Sequence, residues 1–580
     1  MHDHDLIKKV RAMQGADKVS FINQALIKYP SSRRLKLLLA KALNSEGKPD
    51  LALDILDAIL KERPENIRAL LQKANILAKK NQPKQAYEIF SLINKLDPSN
   101  QWAYVGKEKL IYQEGDIDEA INILSIGIKE TKNDCVLIYR KADLYIRTGN
   151  YEPAMELLRE LESSVSYEPR NNYLLAKIYQ GKGEFYKAKQ ELEVVETRSK
   201  DDNDNIWISN AKALRARIAF LEYDYIKATK LFKEITLGSV GTIAARDRLS
   251  LLYVLKGKVA EGISELKTAT KEIENNKTKG KINIPLIGHS SKVINEITIN
   301  PQLQKETQKS FSLEGQERID FLARLQIENP SYFGAALYLI NELRSQGTFH
   351  TFFKNNLRQN VLLKTIPKTI IQYWNEASLP KAIAQTMQSW KKLNPEYEHK
   401  IYSRKTAFFY IKYRYGMNTA RAFQSCIHPA MQADFFRLAY LNSEGGFYAD
   451  ADDRAAKPLD NLRATRPSLI MKLGDFGCIS NNFLGAVPNN EILKYTFEKG
   501  LENVKSYYNE GPWFKLGPGH LTTCISYCLS PYLLGHKKNI PSFLVLDQSE
   551  YRKYVYQHLS LPYKSSDKSW YNAEYKRVIK

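Results

Sequence analysis

Along residues 30–270, small and apolar positions recur with a step much longer than any helical or strand period. Ala40, Ala74, Ala142 and Ala176 keep a spacing of 34 residues or a multiple of it, and Glu108 breaks that column. Ala52, Ala86, Ala120, Ala154 and Ala188 keep the same step. So do Gly47, Asn81, Gly115, Gly149 and Gly183, and so do Pro30, Pro64 and Pro98. Six extra residues intervene around 199–205, after which the pattern resumes at Ala216, Tyr223 and Ala228 and recurs 34 later at Ser250, Gly257 and Gly262. Each unit predicts two antiparallel helices. Small residues stand where the helices cross closely, and Gly or Asn closes the first helix in a left-handed cap. Proline then ends the second. About seven units fill residues 30–270, with a capping helix in 1–29.

A period of 34 with these offsets resembles the tetratricopeptide repeat. An array of that kind presents a concave groove that would recruit a protein partner or an acceptor segment, or else serves as a spacer. Residues 271–363 carry no repeat column. The polar stretch 271–281 reads as a loop, and residues 315–345 read as helices connecting the array to the next domain.

From Ile366 the pattern changes to short apolar runs rich in Gly, Trp and Tyr. Residues 366–374 predict a strand, 383–393 a helix stopped by Asn394-Pro395, and 397–402 a second strand, the succession of an α/β domain with a parallel sheet. Further on, Pro429 opens a helix on which Asp434 and Arg437, three apart, share a face. Gly445-Gly446 ends it, residues 447–449 form a short strand, and Asp450 and Asp452 leave the strand end on one side. Two carboxylates so placed suit a hard divalent cation that also takes substrate phosphates. The alternative is an ordinary charged loop.

The order Asp434, Arg437, Leu441, Gly445, Gly446, Tyr448, Asp450, Asp452 resembles the DXD-containing sugar-binding region of glycosyltransferases, the group that includes yeast initiating α-mannosyltransferases, capsular-polysaccharide transferases and, more distantly, clostridial glucosylating toxins. Ile366-Pro367-Lys368, Gln372 and Trp374, Asn482 to Ala486, Gly517-Pro518-Gly519 and Ser569-Trp570 extend the resemblance over about 365–572. It implies a GT-A domain over 364–580 that transfers a hexose or N-acetylhexosamine from a UDP- or GDP-sugar, with retention, using Mn²⁺ or Mg²⁺. By that resemblance Asp452 is the direct metal ligand and Asp450 acts through metal-bound water. Asp434, Arg437, Tyr448, Gln372 and Asn482 meet the donor, Trp374 stacks on the base, and Ser569 and Trp570 form a terminal lid. The histidine that many relatives place before that Ser-Trp is missing, and Asp567, Ser569 or water would take its place at the metal. His428 and His520 are alternative ligands or simply structural.

Composition narrows the setting. With 580 residues, the chain exceeds the size at which one core stops growing, roughly 250–300 residues. It is 43% hydrophobic and 26% charged, which excludes whole-chain disorder. Lys and Arg outnumber Asp and Glu by 86 to 64, a formal charge of +22. That charge fits a solvated basic surface or peripheral contact with an anionic membrane. No nucleic-acid motif accompanies it. Five scattered cysteines make no disulfide framework, and Cys524 and Cys528 read as core residues. Without a signal-like start or a long apolar run, a cytoplasmic protein of bacterial character is expected, and the family resemblance implies work in cell-surface polysaccharide synthesis. A protein-glucosylating effector, or a scaffold with an inactive transferase domain, are the alternatives.

Overall fold

The computed structural model describes residues 6, 9–10, 13, 16–164, 168–201, 205–238, 241–278, 289–349, 364–506, 511–538 and 542–565. The chain forms two compact units, residues 1–165 and 166–580.

The first unit is all-helical. Behind Ala16–Lys28 come four helix pairs, from Arg33–Ser45 with Pro49–Glu62 to Cys135–Arg147 with Tyr151–Ser164. The small-residue columns are the crossing points: Ala40, Ala52, Ala74, Ala86, Ala120, Ala142 and Ala154 have no exposed surface. The turn column is left-handed, with φ of 78° at Gly47, 61° at Asn81, 94° at Gly115 and 73° at Gly149, conformations open to glycine and tolerated by asparagine. Glu108, where the alanine column breaks, is fully buried, and Arg140 Nε of the next pair donates to its Oε2 at 2.7 Å.

The second unit begins with three more helix pairs: Pro169–Lys182 with Phe185–Asp201, Asn205–Leu221 with Tyr225–Thr236, and Thr242–Leu255 with Val259–Thr278. The last helix corrects the reading of 271–281 as a loop, because residues 271–278 are its final turns. Their polar composition does not end the helix, since Ala269 and Ile273 keep an apolar face buried. Helices Gly315–Glu328 and Phe333–Ser345 lead toward the sheet region.

The strands are β1 (Thr369–Tyr373), β2 (Glu398–Tyr402), β3 (Gly446–Ala449), β4 (Arg454–Ala455), β5 (Leu469–Leu473), β6 (Ile479–Ala486), β7 (Phe543–Leu546) and β8 (Val555–Tyr556). Six of them make one sheet in the order β2-β1-β3-β6-β5-β7, and β4 pairs with β8. The sheet is mixed rather than parallel. β1 runs parallel to β2 and β3, whereas β6 is antiparallel to β3 and β5. The reason is local: residues 474–478 turn tightly, with Gly474 N–H donating to Cys478 O at 2.7 Å, and fold β6 back on β5 as a hairpin. Gly445 and Gly446 lie at φ 69° and 101°, and a Cβ on them would stand 2.6 Å from Ala486 O and 2.8 Å from Thr369 O. That close approach lets β3 enter between β1 and β6.

One hydrophobic core runs through the second unit. It joins Leu249 and Leu252 of the last repeat, Leu322 and Leu337 of the connecting helices, and Phe435, Tyr448 and Leu484 of the α/β region. Polar bonds cross the same seams. Tyr338 OH donates to Val254 O at 3.0 Å, and Asn341 accepts from Tyr225 OH at 3.2 Å and donates to Gly477 O at 3.3 Å.

Candidate active site

The site grows from the helix Pro429–Ser443 and from β3 beside it. His428 caps the helix, its Nδ1 accepting from Ala430 N–H at 3.2 Å, and Pro429 is the first helical residue. The helix carries Asp434 and Arg437 inward, 6% and 3% exposed. Arg437 Nη2 lies 3.1 Å from Asp434 Oδ1 and 3.0 Å from Asp450 Oδ1. Its Nη1 donates to Asn481 O, its Nε to Ala433 O at 3.2 Å, and its plane lies over the Tyr448 ring at 4.2 Å. Tyr448 OH donates to Asp450 Oδ1 at 2.9 Å, and Asn481 Nδ2 to Asp434 Oδ1 at 2.8 Å. Burial pushes the Asp434 carboxyl up to about 6, against the pull of Arg437.

Gln372 of β1 is buried. Its Nε2 donates to Asp450 O at 3.2 Å, while its Oε1 meets His399 Nε2 of β2 at 2.8 Å. Asp450 N–H donates to Asn482 O at 2.9 Å. The Asp450 backbone is thus fastened to β1 and β6, and its carboxylate to Arg437 and Tyr448. Burial raises the Asp450 carboxyl, opposed by Arg437 and helped by the neighbouring Asp452.

Asp450 and Asp452 keep 31% and 20% of their side chains exposed. Asp452 Oδ2 accepts from Tyr563 OH at 2.8 Å and pairs with Lys564 Nζ at 2.6 Å. Burial works against its charge, but Lys564 and Tyr563 hold the carboxyl below the usual range. Tyr563 also meets Trp374 edge to face, with centroids 5.4 Å apart. Among the described residues Trp374 Nε1 is buried without a hydrogen-bond partner.

Neighbouring residues of β6 serve opposite faces. Asn481 reaches Asp434, whereas Asn482 Nδ2 donates to Asp453 Oδ2 at 2.6 Å and to Tyr551 OH at 3.2 Å. Asp453 is 4% exposed, and burial together with Asp452 and Asp450 raises its carboxyl. Lys472, 2% exposed, lies over the Tyr551 ring at 4.1 Å, and burial lowers its ammonium. Sequence reasoning missed Asp453, Lys472, Tyr551, Tyr563 and Lys564. Only Asp453 carried a local signal, as the third acid of the Asp-rich turn. Tyr563 lies 111 residues from the carboxylate it meets.

The structure therefore brings Gln372, Trp374, Asp434, Arg437, Tyr448, Asp450, Asp452 and Asn482 into one region. Asp567, Ser569 and Trp570 lie outside the described residues. His520 stands apart from this set, buried in the helix Pro518–Leu533, with Nε2 2.9 Å from Thr496 O and Nδ1 3.2 Å from Asn503 Nδ2. Its imidazole is pushed down to about 4 by burial. Among the described residues no group of three His, Cys, Asp or Glu could hold a metal by itself. A cavity of about 380 Å³ opens past the carboxyl ends of β1 and β2, lined by Asn375, Ser403, Arg404, Lys405, Phe409 and Gln424. Strand carboxyl ends are where open α/β sheets bind ligands.

Residues 380–469 match the family described as glycosyltransferase sugar-binding region containing DXD motif. Residues 43–110 and 137–163 match tetratricopeptide repeats. The chain thus carries tetratricopeptide repeats followed by a DXD-type sugar-binding region in a mixed-sheet α/β domain. A mannosyl phosphorylinositol ceramide synthase of Saccharomyces cerevisiae is 30% identical over 151 residues, 26% of this chain and 37% of that protein. An inositol phosphoceramide mannosyltransferase of Schizosaccharomyces pombe is 22% identical over 175 residues, 30% of this chain and 54% of that one. The chain spans about a third to a half of the length of these relatives. Among solved structures, the PaToxG glycosyltransferase aligns over 42% of this chain and 94% of its own, at 17% identity and a TM-score of 0.26.

Proposed function

We propose that this protein is a metal-dependent glycosyltransferase that moves a hexose or N-acetylhexosamine from a UDP- or GDP-sugar to a glycan or protein acceptor, with retention. The observation that carries it is the pair Asp450 and Asp452. Both are partly exposed at the end of β3, and Asp450 is held in one orientation by Arg437, Tyr448 and Gln372. The names of both yeast relatives refer to a mannosyl group, so GDP-mannose heads the donors to test.

The residues fit a divalent cation. They offer hard oxygen donors that remain accessible, and Asp452 already takes a cationic group, the Lys564 ammonium. Asp452 would hold Mn²⁺ or Mg²⁺, with Asp450 reaching it through water. Such an ion supplies charge stabilisation for the departing diphosphate. In this reading Asp434 and Arg437, being buried, position Asp450 rather than touch the sugar. Trp374 and the cavity past β1 and β2 receive the nucleoside. Tyr563 and Lys564 must withdraw from Asp452 for the cation to bind, and residues 566–580 come directly after them in the chain. The repeats recruit the acceptor or a partner protein, and cell-surface polysaccharide synthesis remains the setting we favour.

The test is release of UDP or GDP from UDP-glucose, UDP-galactose, UDP-GlcNAc and GDP-mannose with Mn²⁺ or Mg²⁺, alongside donor binding. Metal-dependent release from one donor supports the proposal. Asp452→Asn should lower turnover by at least ~10²-fold while keeping a cooperative thermal transition, as expected for losing one preorganised charge partner. If no donor is bound or cleaved with either metal, the scaffold reading replaces it.

A further inference from the structure

The acid–base balance of the chain is uneven, and in the α/β region one segment carries cations without acids. Between Glu398 and Asp434 there is no acidic residue, yet residues 399–433 hold Lys400, Arg404, Lys405, Lys412, Arg414 and Arg421. In the structure this segment is the end of β2 and two consecutive helices, Arg404–Tyr415 and Met417–Ser425. Their inner faces are core, with Ala407, Ile411, Ala420 and Phe423 buried. Their outer faces are unusual for a soluble surface. Phe409 is 54% exposed, Tyr413 91%, Met417 39%, and Ile401 and Ile427, which flank the helices, 45% and 72%. Lys405, Phe409, Lys412 and Tyr413 keep helical spacing and form one stripe, and Met417 and Arg421 form a second on the next helix.

Most of the charges on this face are not consumed by neighbours. Lys400 pairs with Glu398 at 3.0 Å and Arg414 with Glu444 at 3.5 Å. Among the described residues none of Arg404, Lys405, Lys412 and Arg421 has a carboxylate partner. A face that mixes exposed aromatic and aliphatic side chains with unpaired cations is what an anionic bilayer surface accepts. The rings and aliphatic tips enter the headgroup boundary while Lys and Arg stay at the phosphates. No helix among the described residues is long and apolar enough to cross a membrane, so contact of this kind would be peripheral.

We propose that the outer face of helices Arg404–Tyr415 and Met417–Ser425 docks on an anionic lipid surface. The reason lies in the pairing of exposed apolar side chains with cations that have no acidic partner. The same helices wall the cavity past β1 and β2, through Arg404, Lys405 and Phe409. Docking therefore sets the mouth of that cavity at the bilayer, where an acceptor with a lipid anchor would be reached. The interface itself does not depend on the proposed transfer reaction.

The experiment is sedimentation of the full chain with vesicles of phosphatidylcholine, with and without phosphatidylglycerol, at low and high salt. Binding to the anionic vesicles alone, weakened by salt, is expected. Lys412→Glu with Arg421→Glu should lower that binding at least ~10-fold, because each cation is reversed rather than merely removed. Tyr413→Ser with Met417→Ser should weaken it with the salt dependence preserved. These side chains are exposed, so the thermal transition of both variants should match the parent. Equal binding to neutral and anionic vesicles, or binding that both double variants retain in full, would overturn the proposal. So would a dimer lost on Tyr413→Ser with no vesicle binding, which would make the face a contact between copies of the chain.

Discussion

Arg437 shows how much one side chain does in this site. It is 3% exposed and serves Asp434, Asp450 and Asn481 O while lying over Tyr448. Removing it strands two carboxylates in a poorly solvated place. Arg437→Met is expected to destabilise the second unit by about 3–5 kcal/mol, measured by urea unfolding. His520 makes a pH prediction away from the site. Its imidazole titrates near 4 when folded, below the ~6.5 of the unfolded chain. Between those values the unfolded state binds more protons, so stability rises with pH across the window and falls on acidification. Unfolding measured from pH 7 to 4 should show the parent losing roughly 3 kcal/mol more than His520→Gln, whose side chain does not titrate.

At the scale of elements, the repeats were largely legible because their constraint is local and periodic. A left-handed turn residue and an alanine crossing recur at one step, and each position acts on its nearest neighbours. Glu108 was visible as a break in a column but not as a partner. Its role depends on Arg140, which lies 32 residues on and reaches across to the next helix pair. Arg140→Leu should leave a buried carboxylate and destabilise the first unit by about 3 kcal/mol or more, whereas Glu108→Ala with Arg140→Leu should recover most of that loss. Chemical denaturation of the two variants compares them directly. The sheet was read less well. Short apolar runs predicted β1, β2 and β3, but the later strands were not read, and the direction of β6 is set by a hairpin at residues 474–478 whose turn signal, Gly474-Asp475 with Gly477, was left unused.

Over the whole chain, the core of the second unit ignores the boundaries that the sequence pattern suggests. Leu249 and Val254 of the last repeat, Leu337 and Ile340 of the connecting helix, and Phe435 and Leu484 of the sheet region share one cluster. Phe333 of the connecting helix meets Trp513 and Phe514 edge to face at 5.4 and 5.2 Å. A fragment beginning at residue 364 would expose that surface. It is expected to lack a cooperative thermal transition by calorimetry, while a fragment of residues 166–580 should show one.

The repeat period, the small and turn residues that impose it, and the carboxylates, arginine and glycines of the sugar-binding segment are all written in the chain's local pattern. Those features depend on spacings of a few residues to one repeat, so side-chain size and backbone handedness are enough to read them. Tertiary structure alone decided that Arg437 faces inward to Asp450, that Asp453 is a buried third acid, that Tyr563 and Lys564 close on Asp452, and that the last repeats share a core with the sheet. Each of these joins residues of different elements, Arg437 and Asp450 only 13 apart but Tyr563 and Asp452 111 apart. Burial and pairing of that kind come from how elements pack, which no local pattern of hydrophobic and polar positions encodes.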